Sequence, residues 1–155
     1  MKKNSSPRPK YGNKKVVVDG YNFDSKAEAN YYLMLKRRGH SFMPIAGKYV
    51  AMQENIVIQD RCEVPGKKIQ AITYRADFVF YDGTEIVKVV DVKGYQDAMS
   101  KLKMKMFAFK YGYPVIFAKY NRATDSFDEM SCFESLTQQN QRSKARRDKK
   151  AAAYG

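Results

Sequence analysis

Residues 71–94 read AITYRADFVFYDGTEIVKVVDVKG. Apolar and polar positions alternate from Ile72 onward, and β-branched and aromatic residues dominate, which predicts two strands at about 71–81 and 85–92 around Asp82-Gly83. The second strand closes on VVDVKG, residues 89–94, with Asp91 and Lys93 two positions apart before a glycine. In a strand such positions share a face, roughly 7 Å apart. A carboxylate and an ammonium among residues that read as buried form either a strand-end ion pair or a reactive site.

The first strand adds Asp77. Opposed positions of an antiparallel pair share a face and a constant sum of residue numbers. Asp77 and Asp91 meet only if that sum is even, which needs an odd connection, such as a five-residue loop over 82–86, or a bulge. A two-residue Asp82-Gly83 loop without a bulge sends them to opposite faces. If they converge, two carboxylates about 5 Å apart repel, and burial raises the cost. A divalent cation resolves the conflict, and oxygen-only ligation favours Mg²⁺, with Mn²⁺ as substitute, over zinc. Lys93 beside such a cation would orient a water or offset transition-state charge, a set suited to phosphodiester hydrolysis. Plainer readings stand beside this one: Asp77 paired with Arg75 or Lys88, and Asp91 with Lys93.

Upstream, VVVDGYNF (16–23) carries Asp19-Gly20 between two β-prone runs, a hairpin signal. It feeds DSKAEANYYLMLKRRG, in which Ser25 and Glu28 form a capping box and Gly39 a C-terminal stop, giving a helix over about 26–38. Glu28 is therefore both a cap and a third candidate acid, the fourth group of the set. Within 41–70 the pattern is weaker, with apolar runs at YVAM and IVI and a turn at 65–68. Downstream, a helix is expected over about 97–111, with Leu102, Met106 and Phe109 as its core stripe. Gly112 and Pro114 end it, PVIFAKY makes a strand, and DEMSCFESL a last small helix. Hairpin, helix, three strands, helix, strand is an α/β order with a mixed central sheet flanked by helices.

The chain has 155 residues and 44% apolar content, enough for one folded domain. Its net charge of +13 is concentrated at the ends. Residues 1–15 hold six Lys/Arg and no acid, and 138–155 hold six and Asp148. The expected organisation is a flexible basic N-terminal arm over 1–15, a domain over 16–137 and a basic tail over 138–155. Basic arms on a nearly neutral domain fit a polyanion, with Lys10, Lys14, Lys15, Arg142, Lys144, Arg146 and Arg147 as contacts. Neither arm has a bulky apolar face, and no apolar run reaches the ~18 residues of a membrane span. The start MKKNSSPRPKYGNKK lacks the apolar stretch of a secretory signal, and Cys62 and Cys132 lack metal-type spacing. A reducing, cytoplasmic setting with free thiols is expected, and His40, alone, offers no histidine chemistry.

The ordered set Glu28, Asp77, Asp91-Val92-Lys93 resembles the PD-(D/E)xK nuclease superfamily. The phrases KYGNKKVVVDGYNFDSKAEANYY, ITYRADFVFYDG, VVDVKGY and KLKMKMFAFKYG, over roughly 10–120, are similar to a family of small phage proteins related to Holliday-junction-resolving endonucleases. The resemblance implies a restriction-endonuclease-like αβββαβ core. It implies Glu28, Asp77 and Asp91 as metal-site acids, the Val92 carbonyl as a further ligand and Lys93 as catalytic lysine. Lys101, Lys103 and Lys105 would contact the DNA backbone. The implied activity is Mg²⁺-dependent cleavage of branched DNA by a homodimer, in a bacterial host's cytoplasm if phage-encoded. A sequence-specific or nicking endonuclease, or a non-catalytic DNA-binding protein on a nuclease-like scaffold, are the alternatives.

Overall fold

The computed structural model describes residues 15–44, 47–92 and 96–153. Val16–Val18 (β1) and Tyr21–Phe23 (β2) form the hairpin expected at Asp19-Gly20, whose φ angles of 51° and 80° are those of a tight two-residue turn. Lys26–Arg37 (α1) follows, capped by Ser25, whose hydroxyl accepts the Glu28 N–H at 3.2 Å. Asp19 ties hairpin to helix, accepting from Tyr32 at 2.8 Å and Lys36 at 2.7 Å.

Lys48–Gln59 (β3) fuses the two apolar runs of the weakly patterned stretch. Cys62–Val64 (β4) and Lys67–Ile69 (β5) form a small separate hairpin, so the turn narrows to Pro65-Gly66. Ile72–Asp82 (β6) and Glu85–Val92 (β7) are the expected central pair. Ala98–Tyr111 (α2) is capped by Asp97 and stopped by Gly112 at φ 79°. Ile116–Asn121 (β8) lies parallel to β7, the one parallel pairing among the described residues, reached through the α2 crossover. Ser126–Ser131 (β9) then pairs with β8, and Cys132–Ala153 (α3) ends the described chain. Among the described residues the main sheet is mixed and five-stranded, in order β3-β6-β7-β8-β9.

Two cores sandwich this sheet. Tyr31, Tyr32 and Leu35 of α1 pack with Phe23, Val50, Phe78, Val90, Val92 and Ala118 on one side. Met104 and Phe107 of α2 pack with Ile56, Ile58, Tyr74, Ala76, Val79, Val89 and Phe117 on the other. Tyr74 and Ala76 face α2, yet Phe78, of the same parity, faces α1. In β3, Val50 and Met52 lie on the α1 side but Ile56 and Ile58 on the α2 side. Both strands therefore change sides together, at Gln53 and Asp77. The pairing stays in register across the break, from Met52↔Phe78 to Glu54↔Ala76, and Gln53 takes a left-handed φ of 51° to allow it.

Three expectations need correction. The core stripe of α2 is Met104 and Phe107, 2% and 0% exposed, with Met106 of the expected stripe packed at its edge, whereas Leu102 is 52% and Phe109 95% exposed. DEM belongs to β9, because a strand here covers the outer edge of β8. The last helix is long: α3 runs through the basic tail, exposed throughout from Asn140 onward. Lys10 and Lys14, with nearly all of the N-terminal arm, lie outside the described residues. No described helix is long and apolar enough to cross a membrane.

Candidate functional site

The β6–β7 hairpin decides whether Asp77 and Asp91 meet. Tyr81↔Ile86 and Asp82↔Glu85 close a two-residue loop at Gly83-Thr84, with an odd register sum. A bulge at Val87 then shifts the ladder, and Phe80↔Lys88, Val79↔Val89 and Phe78↔Val90 follow with an even one. Continued by one step, that register opposes Asp91 to Asp77. The pair meets through a bulge rather than a five-residue loop.

Their contacts interlock. The Asp77 N–H donates to Asp91 Oδ1 at 3.4 Å, and the Val92 N–H donates to Asp77 Oδ2 at 2.8 Å. The Tyr74 hydroxyl donates to Asp91 Oδ2. No Lys or Arg among the described residues pairs with either carboxylate. Burial pushes the Asp77 carboxyl well above the usual range, the charges of Asp91, Glu28 and Asp24 add to this, and the Val92 N–H opposes it. Asp91 is raised as well: burial dominates, Glu28 adds, and the bonds from Tyr74 and the Asp77 N–H pull the other way.

Glu28 sits in its capping box, accepting from the Ser25 hydroxyl at 2.8 Å and the Asp24 N–H at 3.1 Å. It is buried, and its charge reaches both aspartates. Among the described residues no group of three or more His, Cys, Asp or Glu is placed to hold a metal ion. The carboxylates that interlock are thus the aspartate pair, with Glu28 at electrostatic range. Lys93 lies outside the described residues. The Val92 N–H serves Asp77, and its side chain is buried in the α1 core.

The other predicted contacts are more dispersed. Lys101 and Lys103 are partly buried at the start of α2, and Lys105 is exposed. Arg142, Lys144, Arg146 and Arg147 are exposed on α3, and Lys15 is exposed just before β1. Two groups at the site had escaped notice. Tyr74 was readable only as a strand aromatic, and Gln53 carried no signal in the sequence.

The two carboxylates thus oppose each other half-buried, bonded by backbone amides and a tyrosine hydroxyl, with no described cation beside them. Clefts of about 560 and 520 Å³, beside His40 and beside Tyr113, are lined by neither aspartate.

Residues 8–121 match the model of the family described as "Protein of unknown function (DUF1064)". The match spans most of the chain, and the protein belongs to this family. It takes in Glu28, Asp77 and Asp91, while β9 and α3 lie beyond it. No curated protein and no solved structure matches the chain.

Proposed function

We propose that this protein is a divalent-metal-dependent endonuclease of the PD-(D/E)xK type that hydrolyses DNA phosphodiester bonds, with branched DNA as its preferred substrate. The observation that carries the reading is the Asp77–Asp91 pair: two opposed carboxylates at the end of a central strand, raised by burial, with no described cation beside them. The order of α1, the β3-β6-β7 strands, α2 and β8 is compatible with the restriction-endonuclease-like core that the reading requires. The basic surface of α3 suits a polyanionic substrate.

In this reading Asp77 and Asp91 would hold Mg²⁺, or Mn²⁺ in its place, and Glu28 and the Val92 carbonyl would complete the ligands. Such an ion would supply an activated water and offset charge on the phosphate. The chain's own groups do the positioning. The Val92 N–H fixes one oxygen of Asp77, and Tyr74 and the Asp77 N–H fix Asp91, so both carboxylates are set before a ligand arrives. Lys93, next in sequence, is assigned the water or the leaving oxygen. Lys101, Lys103 and Lys105, with the arms, hold the DNA backbone. Cutting both strands of a junction calls for two sites, hence a homodimer. The expected setting is the cytoplasm.

The test compares wild type with Asp91→Ala on a four-way junction and a linear duplex of matched sequence, with Mg²⁺ and with EDTA. Metal-dependent cutting of the junction, lost in the variant while binding persists, is expected. Equal cutting of both substrates keeps the nuclease and removes the junction preference. Binding without cutting by either protein leaves a DNA-binding scaffold.

A further inference from the structure

Gln53 spends backbone strain without a glycine's freedom. Its φ of 51° is a left-handed conformation that is strained for a residue with a Cβ. Its side chain spans two elements: Nε2 donates to the Asn22 carbonyl of β2 at 3.1 Å, and Oε1 accepts from Arg75 Nη2 of β6 at 3.1 Å. Arg75 is exposed and forms no ion pair among the described residues. It stands two residues before Asp77, where β6 changes sides. Asn22 likewise stands two residues before Asp24, whose charge reaches Asp77. Tyr74 and Ala76 face α2, so Arg75 emerges on the opposite side, where β2 supplies Asn22.

An exposed guanidinium ordinarily pairs with an acid or stays free in water. This one is held by a neutral amide, and most of its donors remain open to solvent. An arginine fork matches two oxygens of a phosphate. The geometry points to Arg75 as the seat of a substrate phosphate, the backbone phosphate neighbouring the one presented to the aspartates, with Gln53 as the residue that positions it. The inference rests on the nuclease reading and adds to it a specific polynucleotide contact outside the acid pair and the basic arms.

The experiment measures binding of the full chain to a short synthetic DNA duplex across a salt series, with Ca²⁺ replacing Mg²⁺ to hold cleavage off, followed by cleavage kinetics with Mg²⁺. Arg75→Ala is expected to weaken binding about tenfold and to make the log–log salt slope shallower by about 1. Arg75→Lys keeps the slope but raises KM, because the charge survives and the fork does not. Gln53→Ala raises KM with the slope unchanged. Divalent-ion affinity by calorimetry is the same in all four proteins. If wild type binds and cuts DNA while Arg75→Ala shares its slope and KM, the phosphate seat is wrong and the nuclease reading stands. If wild type neither binds nor cuts, both fall together.

Discussion

Asp77 and Asp91 face each other without a described cation, so the metal-free fold carries their repulsion. Both carboxyls are raised from the ordinary 3.8, Asp77 by burial and then by Asp91 and Glu28, Asp91 chiefly by burial. A carboxyl with a raised folded pKa keeps its proton longer in the folded state than in the unfolded one. The stability this gives is present at low pH and is lost as pH rises through the folded pKa. Metal-free wild type should therefore lose thermal stability, relative to Asp77→Asn, between about pH 4 and about pH 8. Melting curves in EDTA check this, with Asp77→Asn ahead by up to about 5 kcal/mol at the upper end. Its amide oxygen still accepts the Val92 N–H. Added Mg²⁺ should stabilise wild type alone. The aspartates were legible because an acid inside an apolar alternating strand asks for a reason. Tyr74 and Gln53 were not, since their bonds reach across 17 and 31 positions of sequence to partners that only the folded sheet brings near.

Helix α2 carries two apolar stripes at helical spacing, one through Met104 and Phe107 and one through Leu102, Met106 and Phe109. Periodicity establishes the helix but cannot choose between the stripes. The choice belongs to the sheet, where Tyr74 packs against Phe107 with ring centroids 6.2 Å apart. Phe107→Ala should accordingly cost about 3–5 kcal/mol, and Phe109→Ala should stay within about 0.5 kcal/mol of wild type. Urea denaturation of the two variants decides it; equal losses would contradict the assigned burial. The hairpin, α1 and the central strands were legible for the opposite reason. Asp19-Gly20, the Ser25–Glu28 box and the alternation of residues 72–82 each offer one local solution. The bulge at Val87 left no mark, because a valine is ordinary in a strand whether paired or bulged. β9 was hidden by its polar composition, SFDEMS, which suits an exposed edge and let DEM read as the start of a helix.

Over the whole molecule, charge and core are segregated. From Asn140 to Ala153 helix α3 is exposed and touches no core, yet it holds six Lys/Arg and a single acid. Removing residues 140–155 should leave the melting temperature unchanged, reduce helical ellipticity and weaken DNA binding. The log–log salt slope should become shallower by up to about 5 if every cation meets a phosphate. Unchanged affinity and slope would take the helix out of the binding surface. The basic tail was legible from composition, whereas its helix was not, since it has no apolar face to announce it. The change of sides at Gln53 and Asp77 bears on how the cores are joined as well as on geometry. Among the described residues no buried side chain belongs to both cores, so the two halves of the sandwich are joined through the backbone of the shared sheet. Asp77 lies on the line between them and grips the Val92 amide, whose side chain belongs to one half, while its partner Asp91 is tethered through Tyr74 to the other. The aspartates are thus a clasp across a seam, and the protection of one amide proton, that of Val92, reports whether the clasp is shut.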